Sequence, residues 1–160
     1  MRAHTEPLEC RKLTAEWKEP LLAFLKALEV ANDTEYFHPH PFSNEAIERI
    51  IQNARKDLYY VLAEGRDVLG YGMLRGWDEG YEIPSLGIAI HPRARSTGLG
   101  KVLMHFLHAA ARRRGGEKVR LKVKMNNAPA VKLYQGIGYR FELQEGQYLV
   151  GFLDLGGGSC

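Results

Sequence analysis

Ile88-Ala-Ile-His-Pro-Arg-Ala-Arg95-Ser-Thr-Gly98-Leu-Gly100-Lys101 decides how this chain reads: a β-favouring apolar run stops at His91-Pro92, crosses a basic glycine loop and opens a segment of helical periodicity. The order predicts a strand, a loop and a helix start. Backbone N–H groups at a helix start have no partner within the helix, the helix dipole is positive there, and glycine lets the main chain approach an anion closely. Arg93 and Arg95 add positive charge to the same loop. The segment therefore predicts a phosphate cradle.

Spacing separates this loop from two better-known nucleotide motifs. A P-loop needs a glycine five positions before Gly100 and a Ser or Thr after Lys101, where Arg95 and Val102 stand. A dinucleotide fingerprint needs a third glycine at the position of Leu103 and usually follows the first strand. Neither pattern fits, which leaves Arg95-x-x-Gly98-x-Gly100 after a strand that ends in Ile-His-Pro.

Downstream, 98–115 reads as one helix with Leu99, Val102, Leu103, Phe106, Leu107 and Ala110 inward and Lys101, His105, His108 and Arg112 on the solvated face. Val119, Leu121 and Val123 alternate with Arg120, Lys122 and Lys124 in a fifth strand. Asn127 caps a short helix to about residue 135, and strands follow at 139–143 and 147–155.

Upstream, 8–13 is a first strand, and Pro20 sits in the first turn of a helix that turns Leu21, Leu22, Leu25 and Leu28 inward. Phe37-His-Pro-His-Pro-Phe42 is a proline-stiffened aromatic loop, and Ser43 caps a second helix ending near Ala54. Runs 58–64 and 68–75 form a hairpin across Gly65-Arg-Asp67. A fourth strand spans about 82–90, where Pro84 and Gly87 interrupt regular pairing.

The 160 residues suit one domain, 1–160, with a core at 8–155 and a flexible glycine tail at 156–160. Hydrophobic residues at 45% and charged residues at 26% match a soluble protein, and no apolar run reaches the length of a membrane span. Without the apolar segment of a leader, the N-terminus predicts a cytoplasmic protein. The net charge of +3 is mild, and Arg112-Arg-Arg114 reads as the solvated end of a helix in preference to a nucleic-acid contact, so no nucleic-acid partner is expected. Cys10 and Cys160 form neither a disulfide framework nor a zinc pattern.

A second block, Asn127-Ala-Pro-Ala130-Val-Lys-Leu-Tyr134-Gln-Gly-Ile-Gly138-Tyr139, sits at a fixed distance from the loop. Together the two resemble the GNAT superfamily of N-acetyltransferases. The loop resembles its Gln/Arg-x-x-Gly-x-Gly/Ala motif, including a proline three residues before the arginine, and the second block its Asn-x-x-Ala-x-x-x-Tyr-x-x-x-Gly-Phe pattern, with Tyr139 in place of Phe. The resemblance covers 8–155 and is strongest over 86–139. It implies a single α/β (α+β) domain with a mixed, mostly antiparallel sheet of about seven strands flanked by about four helices, splayed between the fourth and fifth strands.

For the cofactor, the resemblance implies that acetyl-coenzyme A lays its pyrophosphate on the loop formed by Arg95, Ser96, Thr97, Gly98, Leu99, Gly100 and Lys101. The pantetheine arm would run beside Ile88, Ala89 and Ile90 like an added strand, and Asn127, Ala130 and Tyr134 would complete the site. An amide of Ile88 or Ala89 aimed at the thioester carbonyl could lower the barrier by about 3 kcal/mol.

The implied reaction is direct attack of a neutral primary amine. Tyr134 is then the acid for the leaving thiolate, although helical spacing alone also reads it as a core aromatic. Glu82 is the first choice of base, through water, ahead of Asp78, Glu79 and His91. Tyr36, Phe37, His38, His40, Phe42 and Asp78 are candidates for a substrate wall, and a packed connector is the plainer reading of that loop. His38 and His40 lack the further ligands that a metal needs, so no metal is expected. The expected acceptor is a small-molecule amine, such as an amino sugar or its nucleotide-linked form. A protein or peptide amine, or a noncatalytic acyl-coenzyme A sensor, are the alternatives. The last strands offer an edge for a homodimer.

Overall fold

The computed structural model describes residues 6–156; the end of the expected glycine tail and Cys160 lie outside the described residues. In chain order the elements are β1 (Leu8–Lys12), α1 (Lys18–Val30), α2 (Asn44–Asn53), β2 (Leu58–Glu64), β3 (Asp67–Arg75), β4 (Ser85–Ile90), α3 (Leu99–Arg113), β5 (Lys118–Lys124), α4 (Ala128–Ile137), β6 (Arg140–Glu145) and β7 (Tyr148–Asp154). The seven strands form one sheet in the order β1-β2-β3-β4-β5-β7-β6.

The sheet consists of two antiparallel halves, β1 to β4 and β5-β7-β6, that meet at a single parallel pair, Ser85 opposite Arg120. There the Arg120 N–H donates to the Pro84 carbonyl at 3.0 Å. Beyond this point β4 continues to Ile90 and β5 to Lys124 with no further pairing between them. The expected splay is thus a fork with its vertex at Ser85 and Arg120.

Each face has its own core. Leu21, Phe24, Leu25 and Leu28 of α1 and Ile47 of α2 pack on Val61, Tyr71 and Met73. That cluster takes no residue from β5, β6 or β7, so α1 and α2 cover only the first half of the sheet. On the opposite face Leu103, Met104 and Leu107 of α3 pack on Leu74, Leu86, Val119 and Leu121, with α4 beside them. Gly72 admits this close approach, since a Cβ there would lie 3.0 Å from Leu107 and 3.1 Å from Leu103.

Four local expectations need correction. The buried face of α3 is rotated: Val102 and Phe106 are 51% and 38% exposed, while Met104, His108 and Ala111 are buried. Helical spacing cannot reveal that His108 has a buried partner, the Tyr139 hydroxyl at 2.8 Å, which offsets the cost of placing an imidazole in the core. In α1, Phe24 is buried where Leu22 is only partly so. Asn127 precedes α4 but its side chain makes no capping bond, because its backbone is not in the extended conformation that a capping residue needs. Last, β4 begins at Ser85 rather than Glu82, since Trp77–Glu79 form a 3-10 turn and Pro84 cannot donate to a ladder. Ser43 does cap α2, accepting the Ala46 N–H at 3.2 Å.

Candidate active site

At the open end of the fork, β4 runs into the glycine loop. His91 Nδ1 accepts the Arg93 N–H at 3.2 Å and starts the turn Pro92–Ala94, and the Thr97 hydroxyl donates to the Ala94 carbonyl at 2.5 Å. The backbone then turns through two left-handed residues, Ser96 at φ 62° and Gly98 at φ 87°, into α3. The consequence is a run of seven N–H groups, Arg95 to Lys101, with no acceptor among the described residues. A Cβ at Gly98 would meet nothing within 4 Å, and one at Gly100 nothing closer than 3.8 Å. Free donors around open space at a helix start fit a phosphate group.

The fork supplies the second half of the site. Because the His91 N–H donates to the Leu69 carbonyl at 2.7 Å, strand alternation turns Gly87 and Ala89 toward β3 and leaves the main-chain groups of Ile88 and Ile90 facing the gap. An extended ligand arm between β4 and β5 can pair with them as a strand would.

Tyr134 projects from α4 on the α3 face, its ring 6.0 Å from Tyr139. Its hydroxyl makes no hydrogen bond among the described residues, and burial pushes its pKa up to about 12. It is therefore a protonated donor at neutral pH. The hydroxyl of Tyr139 belongs instead to His108, whose pKa burial holds down to about 4, so that imidazole is neutral.

The structure separates the remaining candidates. Glu82 is exposed, three residues before the vertex, in a depression shared with Trp77, Lys118 and Asp154 at the closed end of the fork. It is not brought together with Tyr134. Both carboxylate oxygens of Asp78 accept backbone N–H groups, from Lys56 at 2.8 Å, Arg55 at 3.0 Å and Asp57 at 3.1 Å, which hold its pKa below the usual range. That carboxylate closes a loop.

The 36–42 loop lies over β3 and β4 on the α1 face. Phe37 packs edge-on against Tyr71 and approaches to 3.8 Å of where a Cβ of Gly87 would be, so it borders the gap. His38 lies 5.0 Å from Phe42, and Tyr36 is 46% exposed. His40 donates from Nδ1 to the Pro41 carbonyl and accepts from Tyr71 at Nε2, both at 2.8 Å, which makes it a brace for the loop. Among the described residues, no three His, Cys, Asp or Glu side chains converge as a metal site would require.

One contact had no signal in the sequence. The turn Asp33–Glu35 reaches both arms of the fork: Asp33 pairs with Arg95 after β4, and Glu35 with Lys124 at the end of β5 at 3.5 Å.

A row of free amides feeding an unpaired strand edge defines a class: proteins that hold a phosphate-bearing carrier with its arm laid into a split sheet. The chain belongs to the acetyltransferase (GNAT) family, which matches residues 22–139. It is accordingly an acyltransferase, and acetyl-coenzyme A is its acetyl donor. No curated protein matches the sequence. Solved structures similar to it include the PaiA N-acetyltransferase from Thermoplasma acidophilum in complex with coenzyme A, at 18% identity and a TM-score of 0.77 over 92% of this chain and 99% of that one. The GNAT domain of S. lividans PAT gives 16% and 0.79 over 96% and 99%. The ribosomal-protein-S18-alanine N-acetyltransferase from Escherichia coli gives 16% and 0.72 over 96% and 97%. At these identities the likeness is one of fold. No described helix is long and apolar enough to cross a membrane.

Proposed function

We propose that this chain is an N-acetyltransferase whose acceptor is the primary amine of a small molecule. The observation that carries the reading is the run of seven free amides leading directly to the unpaired edge of β4. When bound, acetyl-coenzyme A supplies a thioester. Arg95 to Lys101 hold its phosphates, and Ile88 and Ile90 align its arm. Since α3, α4 and the loop approach from one face, the acceptor enters from the other, past Phe37 and His38. That wall offers ring faces to a polar, ring-containing amine, which keeps an amino sugar as the leading acceptor class.

Tyr134 donates a hydrogen bond, and then its proton, to the leaving sulfur. Its lack of a protein partner leaves that hydrogen bond free to form. Glu82 lies beyond the vertex, so the amine arrives through its own neutral fraction, and little is expected of that carboxylate. β6, with Leu143 53% exposed, is the edge through which a homodimer would form. The test is thiol release from acetyl-coenzyme A across a panel of amines. Acceleration by at least one primary amine supports the reading. Saturable binding of acetyl-coenzyme A with no acceleration by any amine would sink it.

A further inference from the structure

On the acceptor side, strand alternation places Arg120, Lys122 and Lys124 of β5 on the face opposite the buried Val119, Leu121 and Val123. This is the half of the sheet that α1 and α2 leave uncovered. Arg120 stands at the fork vertex, opposite Ser85. Its Nε is buried and has no hydrogen-bond partner among the described residues, while the side chain as a whole is 32% exposed and so open to a ligand.

The neighbouring contacts show what fits there. A single carboxylate, Glu145 from the end of β6, serves two cations: it is 3.1 Å from Lys122 and 3.9 Å from Arg120. Among the described residues no second carboxylate pairs with these two cations, and the contact to Arg120 is longer than a hydrogen bond. Tyr148, under the Lys122 ammonium at 5.0 Å, gives the spot a ring face.

We propose that Arg120, with Lys122, binds an oxyanion of the acceptor, so that the amine this enzyme acetylates carries a carboxylate or phosphate. This rests on the acetyl-transfer reading above. Ile88 lies three residues along β4 from the vertex, about 10 Å of strand, so Arg120 is within reach of an acceptor of ordinary size. Polyamines carry cations where this site holds its own, so they are poor acceptors.

The experiment compares matched amines in the thiol-release assay: glucosamine with glucosamine 6-phosphate, and the dipeptide amides Gly-Asn with Gly-Asp, with spermidine as the polycation. Within one pair or both, the anionic member is expected to show a kcat/KM about tenfold higher, carried by KM. The phosphate and carboxylate pairs tell the two sources apart. Arg120→Gln should abolish that preference while acetyl-coenzyme A affinity stays at the parent value. Glu145→Gln, by removing the competing carboxylate, should lower KM for the anionic member. If Arg120→Gln does not fold, Lys122→Gln and the rise of KM with salt read the same claim. Equal or better turnover of the neutral amines or spermidine overturns the inference and leaves acetyl transfer standing, as does a preference that survives Arg120→Gln. If no amine is turned over, the acetyl-transfer reading falls and this inference falls with it.

Discussion

Lowering the pH should loosen this fold, and His108 is the residue at which the loss is largest. The imidazole is 2% exposed, bonded to the Tyr139 hydroxyl and held neutral by burial, with a pKa of about 4 against the ordinary 6.5. Between those two values the unfolded chain binds a proton that the folded chain refuses. The stabilisation from a neutral His108 is therefore complete above about pH 6.5 and is lost as pH falls toward 4. The difference is worth about 3 kcal/mol, a large part of the stability of an ordinary domain. Urea unfolding followed by tryptophan fluorescence, at neutral pH and at steps down to pH 4, measures it. His40 and His91, held below the ordinary imidazole pKa chiefly by burial, and Asp78 and Glu48, held low by hydrogen bonds, add their own pH dependence in any variant. The informative quantity is thus the parent minus His108→Gln, which keeps a hydrogen-bonding side chain near Tyr139 and cannot titrate. The two curves should diverge below pH 6.5. Parallel curves would show that His108 is charged, or hydrated, in the folded protein, and would refute this reasoning.

Three further outcomes follow from the site. Tyr134→Phe should lower kcat by about 100-fold with acetyl-coenzyme A affinity unchanged, as single-turnover rates and calorimetry can establish. Gly98→Ala puts a methyl group at φ 87° into open space, so chemical unfolding should show a loss of about 1 kcal/mol and calorimetry a weaker hold on acetyl-coenzyme A. Glu82→Gln should leave kcat/KM near the parent value in the thiol-release assay, and a large drop would restore Glu82 as the base.

The sequence made the donor half of this protein readable because its signals are local. A strand broken by His91-Pro92, glycines at 98 and 100 and the Asn127 to Tyr139 block all act within a few residues, and the loop and α4 lie where those signals put them. What escaped depends on contacts between distant residues. His108 reads as a solvated position until Tyr139, 31 residues away, supplies its partner. Asp78 reads as a substrate contact or a secondary base until the backbone of Arg55 to Asp57 takes its oxygens. The side of the fork on which Glu82 falls depends on where β4 and β5 part, a tertiary property that periodicity does not encode. Arg120 lies between these cases: alternation gives its face, and only the folded sheet shows that its Nε lacks a partner.

The central claim is that Arg95 to Lys101 and the open edge of β4 hold the acetyl donor. Amide-resolved NMR of the labelled protein, titrated with acetyl-coenzyme A, tests it most directly. Saturable shifts are expected at the amides of Arg95 to Lys101 and of Ile88 and Ile90, with Glu82 and its neighbours unmoved. Saturable shifts that bypass this loop and strand would contradict it.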